Sequence, residues 1–297
     1  MPLILVFSNT AFFAIADTES KILAFSKVGD LPSKMCDFDW AGAQVQLEPA
    51  DLAFSVETNP GSKSCIFFDP PRERGRFEAS LLANDSRIEL RGIVIDRFEG
   101  KNEPTLDSIF WCLGVSEDAG GEYLSLDTEG DTIGSSIPVS GFRVAEGYSE
   151  ITVSLLARYS PKGNPELGFL NSENGAPTPI GRMANVSREY RDAHQRLFPP
   201  FEDPDAVLWN GRHRKVISSE ECPPSFNFYY AGKHFRASTI PGEAKGAKIK
   251  HTARVYPVES LLGNAVKNAY LICFEEAKNG DYQDAILLIE GIEHDSL

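Results

Sequence analysis

The stretch RIELRGIVIDRF, residues 87–98, decides the fold reading. Ile88, Leu90, Ile93 and Ile95 fall in partial alternation, the pattern of a strand with one buried face. Short β-favouring runs recur on either side of it. Before it come Leu3–Phe7, Ala11–Ala16, Lys21–Phe25, Ala43–Leu47, Leu52–Val56, Ser64–Phe68 and Arg76–Leu82. After it come Ser108–Val115, Glu122–Leu126, Ile137–Val144 and Ile151–Tyr159. Turn clusters such as Asn59-Pro60-Gly61, Asp69-Pro70-Pro71 and Ala119-Gly120-Gly121 separate them. This spacing predicts a strand-rich sandwich or barrel over residues 1–160, with no helical stripe and no internal repeat.

Residues 161–206 change character. Two Pro/Gly stretches, Pro161–Pro165 and Gly175–Pro179, are loop chemistry. Ser187–Phe198 reads as one short helix, with Ser187 as its N-cap and Pro199-Pro200 as its stop. The segment is expected to be a linker or long crossover.

Strand character returns over residues 207–255, in Ala206–Trp209, Lys215–Ser218, Phe226–Ala231, Lys233–Thr239 and Lys248–Tyr256. The C-terminal stretch reads as two helices. Leu262, Val266, Tyr270 and Cys273 recur every three or four positions, and Asn279-Gly280 reads as a helix stop. Asp281 then caps a second helix with Ala285, Ile286, Leu288, Ile289 and Ile292 on its apolar face. The expected fold class is all-β or α+β. A strand-rich domain (1–160) and a linker (161–206) precede a smaller α+β part (207–297) ending in a helical hairpin.

Composition sets the outer bounds. Of 297 residues, 42% are hydrophobic and 24% charged, ordinary values for a folded chain. No run of 18 or more apolar residues occurs, so no membrane span is expected. The N-terminal 2–16 run lacks Lys and Arg and is broken by Ser8-Asn9-Thr10, which favours a β-hairpin over a signal segment. Five dispersed cysteines without a CxxC spacing fit a reducing, cytoplasmic setting; secretion with a signal over residues 1–16 is the alternative.

The net charge is −14, but Val207–Val255 holds nine Lys and Arg against three acids. That segment is net +6 and the rest of the chain −20. Phe226, Phe228, Tyr229, Tyr230 and Phe235 interleave there with Lys233, His234 and Arg236. In a strand that runs on without a turn at Gly232, Phe228, Tyr230, Gly232, His234 and Arg236 share one face, able to stack a ring and pair an anion. A second basic cluster is Arg212-His213-Arg214-Lys215. The competing reading is structural: aromatics fill the core and cations face the acidic remainder.

Other chemistries have weaker footing. His213, His234 and His251 with Cys222 match no metal-ligand spacing, and no metal or cofactor is expected. No GxSxG elbow, phosphate-binding loop or local Cys–His signature occurs. Acid pairs such as Asp37 with Asp39, Glu202–Asp205, Glu220-Glu221 and Glu293–Asp295 read as solvated faces.

The functional expectation is a non-catalytic binding or assembly protein. Arg212, Arg214, Lys215, Tyr230, Lys233, His234 and Arg236 would form its ligand-binding face. That face would meet an anionic ligand, nucleic acid included, an acidic protein surface, or a second copy of the chain in a homo-oligomer. The alternative is an enzyme acting on an anionic small molecule or sugar in an inter-domain pocket near His234, Arg236 and Tyr230.

Overall fold

The computed structural model describes residues 103–184, 195–199, 201 and 213–295, and before them the strand residues between 3 and 95. The early strands are β1 (Leu3–Ile4), β2 (Ile15–Ala16), β3 (Ile22–Val28), β4 (Ser33–Phe38), β5 (Val45–Glu48), β6 (Phe54–Glu57), β7 (Ser64–Phe68), β8 (Gly75–Ala83) and β9 (Ser86–Ile95). They form three small sheets, β1-β2, β3-β9-β8-β5 and β4-β7-β6. Within the alternating stretch 87–98, residues 87–95 belong to the second arm of the β8–β9 hairpin, in which Ala83 pairs with Ser86, and residues 96–98 lie outside the described residues.

Helix α1 (Leu106–Leu113) follows, where the sequence suggested a strand over Ser108–Val115. The Thr105 hydroxyl accepts the Ser108 N–H and caps it, and Gly114 ends it in a left-handed conformation (φ 66°). Leu106, Ile109, Phe110 and Leu113 form its buried stripe. The strand expected over Glu122–Leu126 is irregular chain instead.

The remaining strands are β10 (Gly141–Val144), β11 (Glu150–Tyr159), β12 (Glu166–Asn171), β13 (Pro177–Arg182), β14 (Gln195–Leu197), β15 (Arg214–Ser218), β16 (Phe226–Ala231), β17 (Arg236–Ser238), β18 (Ala253–Pro257), β19 (Ser260–Leu261), β20 (Asn264–Ala265), β21 (Ala269–Phe274), β22 (Ala285–Glu290) and β23 (Ile292–Asp295). Most join two antiparallel six-stranded sheets. One has the order β13-β12-β16-β10-β23 with β17 beside β16, the other β14-β11-β22-β21-β18 with β15 beside β11.

Two apolar layers hold these sheets. Phe142, Phe169, Phe226, Phe228 and Tyr230 from the first sheet meet Val153, Leu155, Ile272, Phe274 and Leu287 from the second. On the far face of the second sheet, Leu156, Tyr159, Leu271, Cys273, Ile286 and Leu288 pack with the α1 residues Ile109, Phe110 and Leu113. The second sheet is therefore buried on both faces. Its central strands alternate between the layers: Ala285, Leu287 and Ile289 face the first sheet, Ile286 and Leu288 the helix.

Double burial explains the main correction. The expected C-terminal helical hairpin is a strand hairpin, β21 and β22, paired from Ala269↔Glu290 to Phe274↔Ala285. A strand covered on both sides is a continuous apolar run, which periodicity alone does not separate from a buried helix. Gly280 does not end a helix; it sits in the strand connection at φ +74°. The described residues are strand-rich and antiparallel, and their sheets do not close into a barrel. Of the expected helix Ser187–Phe198, residues 187–194 lie outside the described residues, and Gln195–Leu197 is strand. No helix among the described residues is long and apolar enough to cross a membrane.

Candidate metal centre

The connection between β21 and β22 is the ten-residue loop Glu275–Asp284, sequence EEAKNGDYQD. Ten residues are more than a tight hairpin needs, and four of them are carboxylates. Glu275, Glu276, Asp281 and Asp284 are all buried, with relative exposures of 0, 1, 3 and 6%.

The backbone folds around these side chains. Glu275 accepts the N–H groups of Ala277 at 2.7 Å and Asp281 at 2.9 Å, one on each carboxylate oxygen. Asp284 accepts the Glu276 N–H at 2.6 Å. Asp281 accepts amide protons from Asn279 and, at 3.2 Å, from Gln283. Tyr282 holds a left-handed conformation (φ 53°), uncommon for a bulky residue, and this turn lies between the two aspartates. Its hydroxyl donates to the His251 carbonyl at 2.9 Å and its ring lies 5.2 Å from the Arg254 guanidinium carbon, which anchors the kink.

Three outside elements close over the loop. From the segment before α1, Glu103 accepts from Gln283 Nε2 and from Gln195 Nε2 of β14, each at 3.1 Å. Leu126 donates its N–H to the Gly280 carbonyl at 2.7 Å. The turn between β16 and β17 covers Glu276, which accepts the Lys233 N–H at 3.0 Å.

One oxygen from each of Glu275, Asp281 and Asp284 lies within 4.8 Å of the others. Among the described residues, none of the four loop carboxylates forms an ion pair with Lys, Arg or His. Arg158 is fully buried and its charge acts on Glu276, but its nitrogens donate to Ser160 Oγ and the carbonyls of Pro161, Gly163 and Ala184. The acids respond accordingly. Burial pushes Asp281 up to about 8, helped by the charges of Glu275 and Glu103. Burial, then Glu275, Asp281 and Glu276, hold Asp284 well above the usual carboxylate range. Burial also raises Glu276, against the opposing Lys233 N–H.

The donor set is incomplete as a protein-only network. The Gln283 side chain is fully buried, its amide nitrogen lies against Asp281 and Glu103, and its oxygen has no hydrogen-bond partner. One oxygen each of Asp281 and Glu276 is likewise buried and unpartnered. Buried polar atoms are ordinarily paired, so each such oxygen calls for an explanation. Clustered buried carboxylates without a counter-charge are also costly, and a cation among Glu275, Asp281 and Asp284 would supply one.

The residues singled out from the sequence are placed elsewhere or in other roles. Arg212 lies outside the described residues. Arg214 is exposed on β15, donating to Ser154 Oγ at 3.1 Å with Glu290 at 3.9 Å. Lys215 donates to the Ile180 carbonyl at 3.1 Å and lies over the Phe201 ring. Tyr230 is sealed between the sheets, its hydroxyl on Ser160 Oγ and its ring stacked on Phe274. Arg236 pairs with Glu243 and lies over Tyr229. Lys233 and His234 are exposed on the turn that covers Glu276. The two basic clusters thus start from different sheets, and only the Lys233–His234 turn meets the acidic loop.

The other sequence candidates find ordinary surroundings. Burial and the Glu221 charge push the Cys222 thiol up to about 11, away from a reactive thiolate. Glu293 and Asp295 share Arg143. Sequence reading passed over the loop itself, although four acids in ten residues around Asn279-Gly280 were visible. No protein-family model matches the chain, and no curated protein sequence matches it.

Proposed function

We propose that this is a non-catalytic binding protein whose specific ligand is a hard divalent cation, held by Glu275, Asp281 and Asp284. The observation that carries the reading is the fully buried, unpartnered oxygen of Gln283 in a loop where Glu275, Asp281 and Asp284 converge with no ion pair among the described residues. Oxygen-only donors suit Mg²⁺ and Ca²⁺, whereas zinc and copper sites draw on imidazole and thiolate. The loop joins the two central strands of the doubly buried sheet, so an ion there stabilises the fold directly. The enzyme alternative draws less support, since Arg236 is tied to Glu243 and Tyr230 is enclosed in the core.

The test is denaturant unfolding of metal-stripped protein with and without added CaCl₂ or MgCl₂. A cation at about one hundred times its Kd adds roughly 2.7 kcal/mol. No stabilisation by either salt at millimolar concentration overturns the proposal.

A further inference from the structure

Resting on that reading, we infer that the ion is calcium rather than magnesium. Three features of the loop discriminate between them.

The first is burial. Glu275, Asp281, Asp284 and Gln283 are each no more than 6% exposed. An ion among such groups exchanges most of its water for protein oxygens. Mg²⁺ gives up its water reluctantly and is seldom held in an all-protein cage, whereas Ca²⁺ accepts one.

The second is the number and kind of oxygens. Three carboxylates converge, and the same loop carries buried, unpartnered oxygens on Gln283, Asp281 and Glu276. Ca²⁺ takes six to eight oxygens, mixing carboxylates in one- or two-oxygen contact with amide carbonyls. Gln283 carries an amide carbonyl of that kind, its nitrogen held by Asp281 and Glu103 and its oxygen left without a partner.

The third is geometry. The three donors come from an irregular loop with a left-handed residue between two of them, and their oxygens lie within 4.8 Å of one another. Ca²⁺ accepts flexible coordination of that kind, whereas Mg²⁺ demands a near-ideal octahedron, which a loop serving several other contacts is poorly placed to give.

Isothermal titration of the metal-stripped full chain with CaCl₂ and, separately, MgCl₂ tests the assignment. Terbium luminescence sensitised by Tyr282 gives a second readout. The expected result is one calcium per chain, bound at least ~100-fold more tightly than magnesium, with calcium displacing terbium where magnesium does not. Gln283→Ala should weaken calcium binding about tenfold, as loss of one supporting oxygen does. Asp284→Asn, confirmed folded by circular dichroism, should abolish it. Magnesium binding within about tenfold of calcium overturns the calcium assignment and leaves the cation reading standing. No heat, luminescence or stabilisation with any of the three ions overturns both.

Discussion

Gly232 and Glu276 are packed so closely that a Cβ on the glycine would stand 1.2 Å from the Glu276 carboxylate oxygen. That contact fixes how the β16–β17 turn covers the acidic loop. Gly232→Ala must push either the turn or the carboxylate aside, and Glu276 is also held by the Lys233 N–H. The expected cost is about 1–3 kcal/mol, the range for overpacking a filled site. Urea unfolding measures it; a change under about 0.5 kcal/mol would show that the turn yields freely.

Asp284→Asn should act in opposite directions with and without calcium. The asparagine oxygen still accepts the Glu276 N–H, and its amide can donate to the neighbouring carboxylates. In chelator the variant is relieved of one buried acid beside Glu275 and Asp281, so it should be more stable than wild type by roughly 1 kcal/mol. In calcium the order reverses, because only wild type gains binding energy. Paired denaturation curves in chelator and in CaCl₂ read both signs. A variant less stable in both would mean that Asp284 serves the fold rather than an ion.

Arg158 is a buried guanidinium whose hydrogen bonds run to three carbonyls and the Ser160 hydroxyl. Arg158→Met strands those acceptors and removes the positive charge acting on Glu276. A loss of about 3 kcal/mol or more is expected. Arg158→Lys keeps the charge but not the planar fork, and should recover only part of it. Equal stability of the Met and Lys variants would assign the whole effect to hydrogen bonding.

His213 gives a pH dependence of defined sign. Burial, then the charges of Arg214 and Arg196, push its pKa down to about 3 from 6.5. The unfolded chain therefore binds a proton that the folded one refuses between those values. Stability is complete above about pH 6.5 and falls as pH drops toward 3, by at most ~1.4 kcal/mol per unit. Between pH 7 and 5, wild type should lose up to about 2 kcal/mol more than His213→Gln. Comparing the two proteins isolates His213 from the buried carboxylates, whose raised pKa values work in the opposite sense. Parallel pH profiles would show that the ring is solvated in the folded state.

Where the sequence could be read, it was read through local pattern. Phe226–Ala231 and Ile151–Tyr159 are strands close to the boundaries that composition suggested. Helix α1 was hidden because Ser108–Val115 is apolar enough to pass for a strand; the Leu106, Ile109, Phe110, Leu113 spacing and the Thr105 cap were the missed signal. The C-terminal strands were misread because burial on two faces erases the alternation that marks a strand. The acidic loop was legible only in part. Its four carboxylates are local, but Glu103 reaches it from far along the chain, itself held by Gln195. The charge asymmetry of residues 207–255 was real in composition, yet folding divides it between two sheets.

The pairing of β11 with β22 has a consequence for how the molecule assembles. Thr152↔Glu290 and Leu155↔Leu287 join residues more than 130 positions apart, at the centre of the sheet that both apolar layers share. The middle of the structure thus waits on distant partners, and loop closure must precede most of the burial that rewards it. Until β22 arrives, β11 presents an unpaired, largely apolar edge, the kind of surface that invites pairing with the wrong strand. Refolding should accordingly be slow and sensitive to protein concentration.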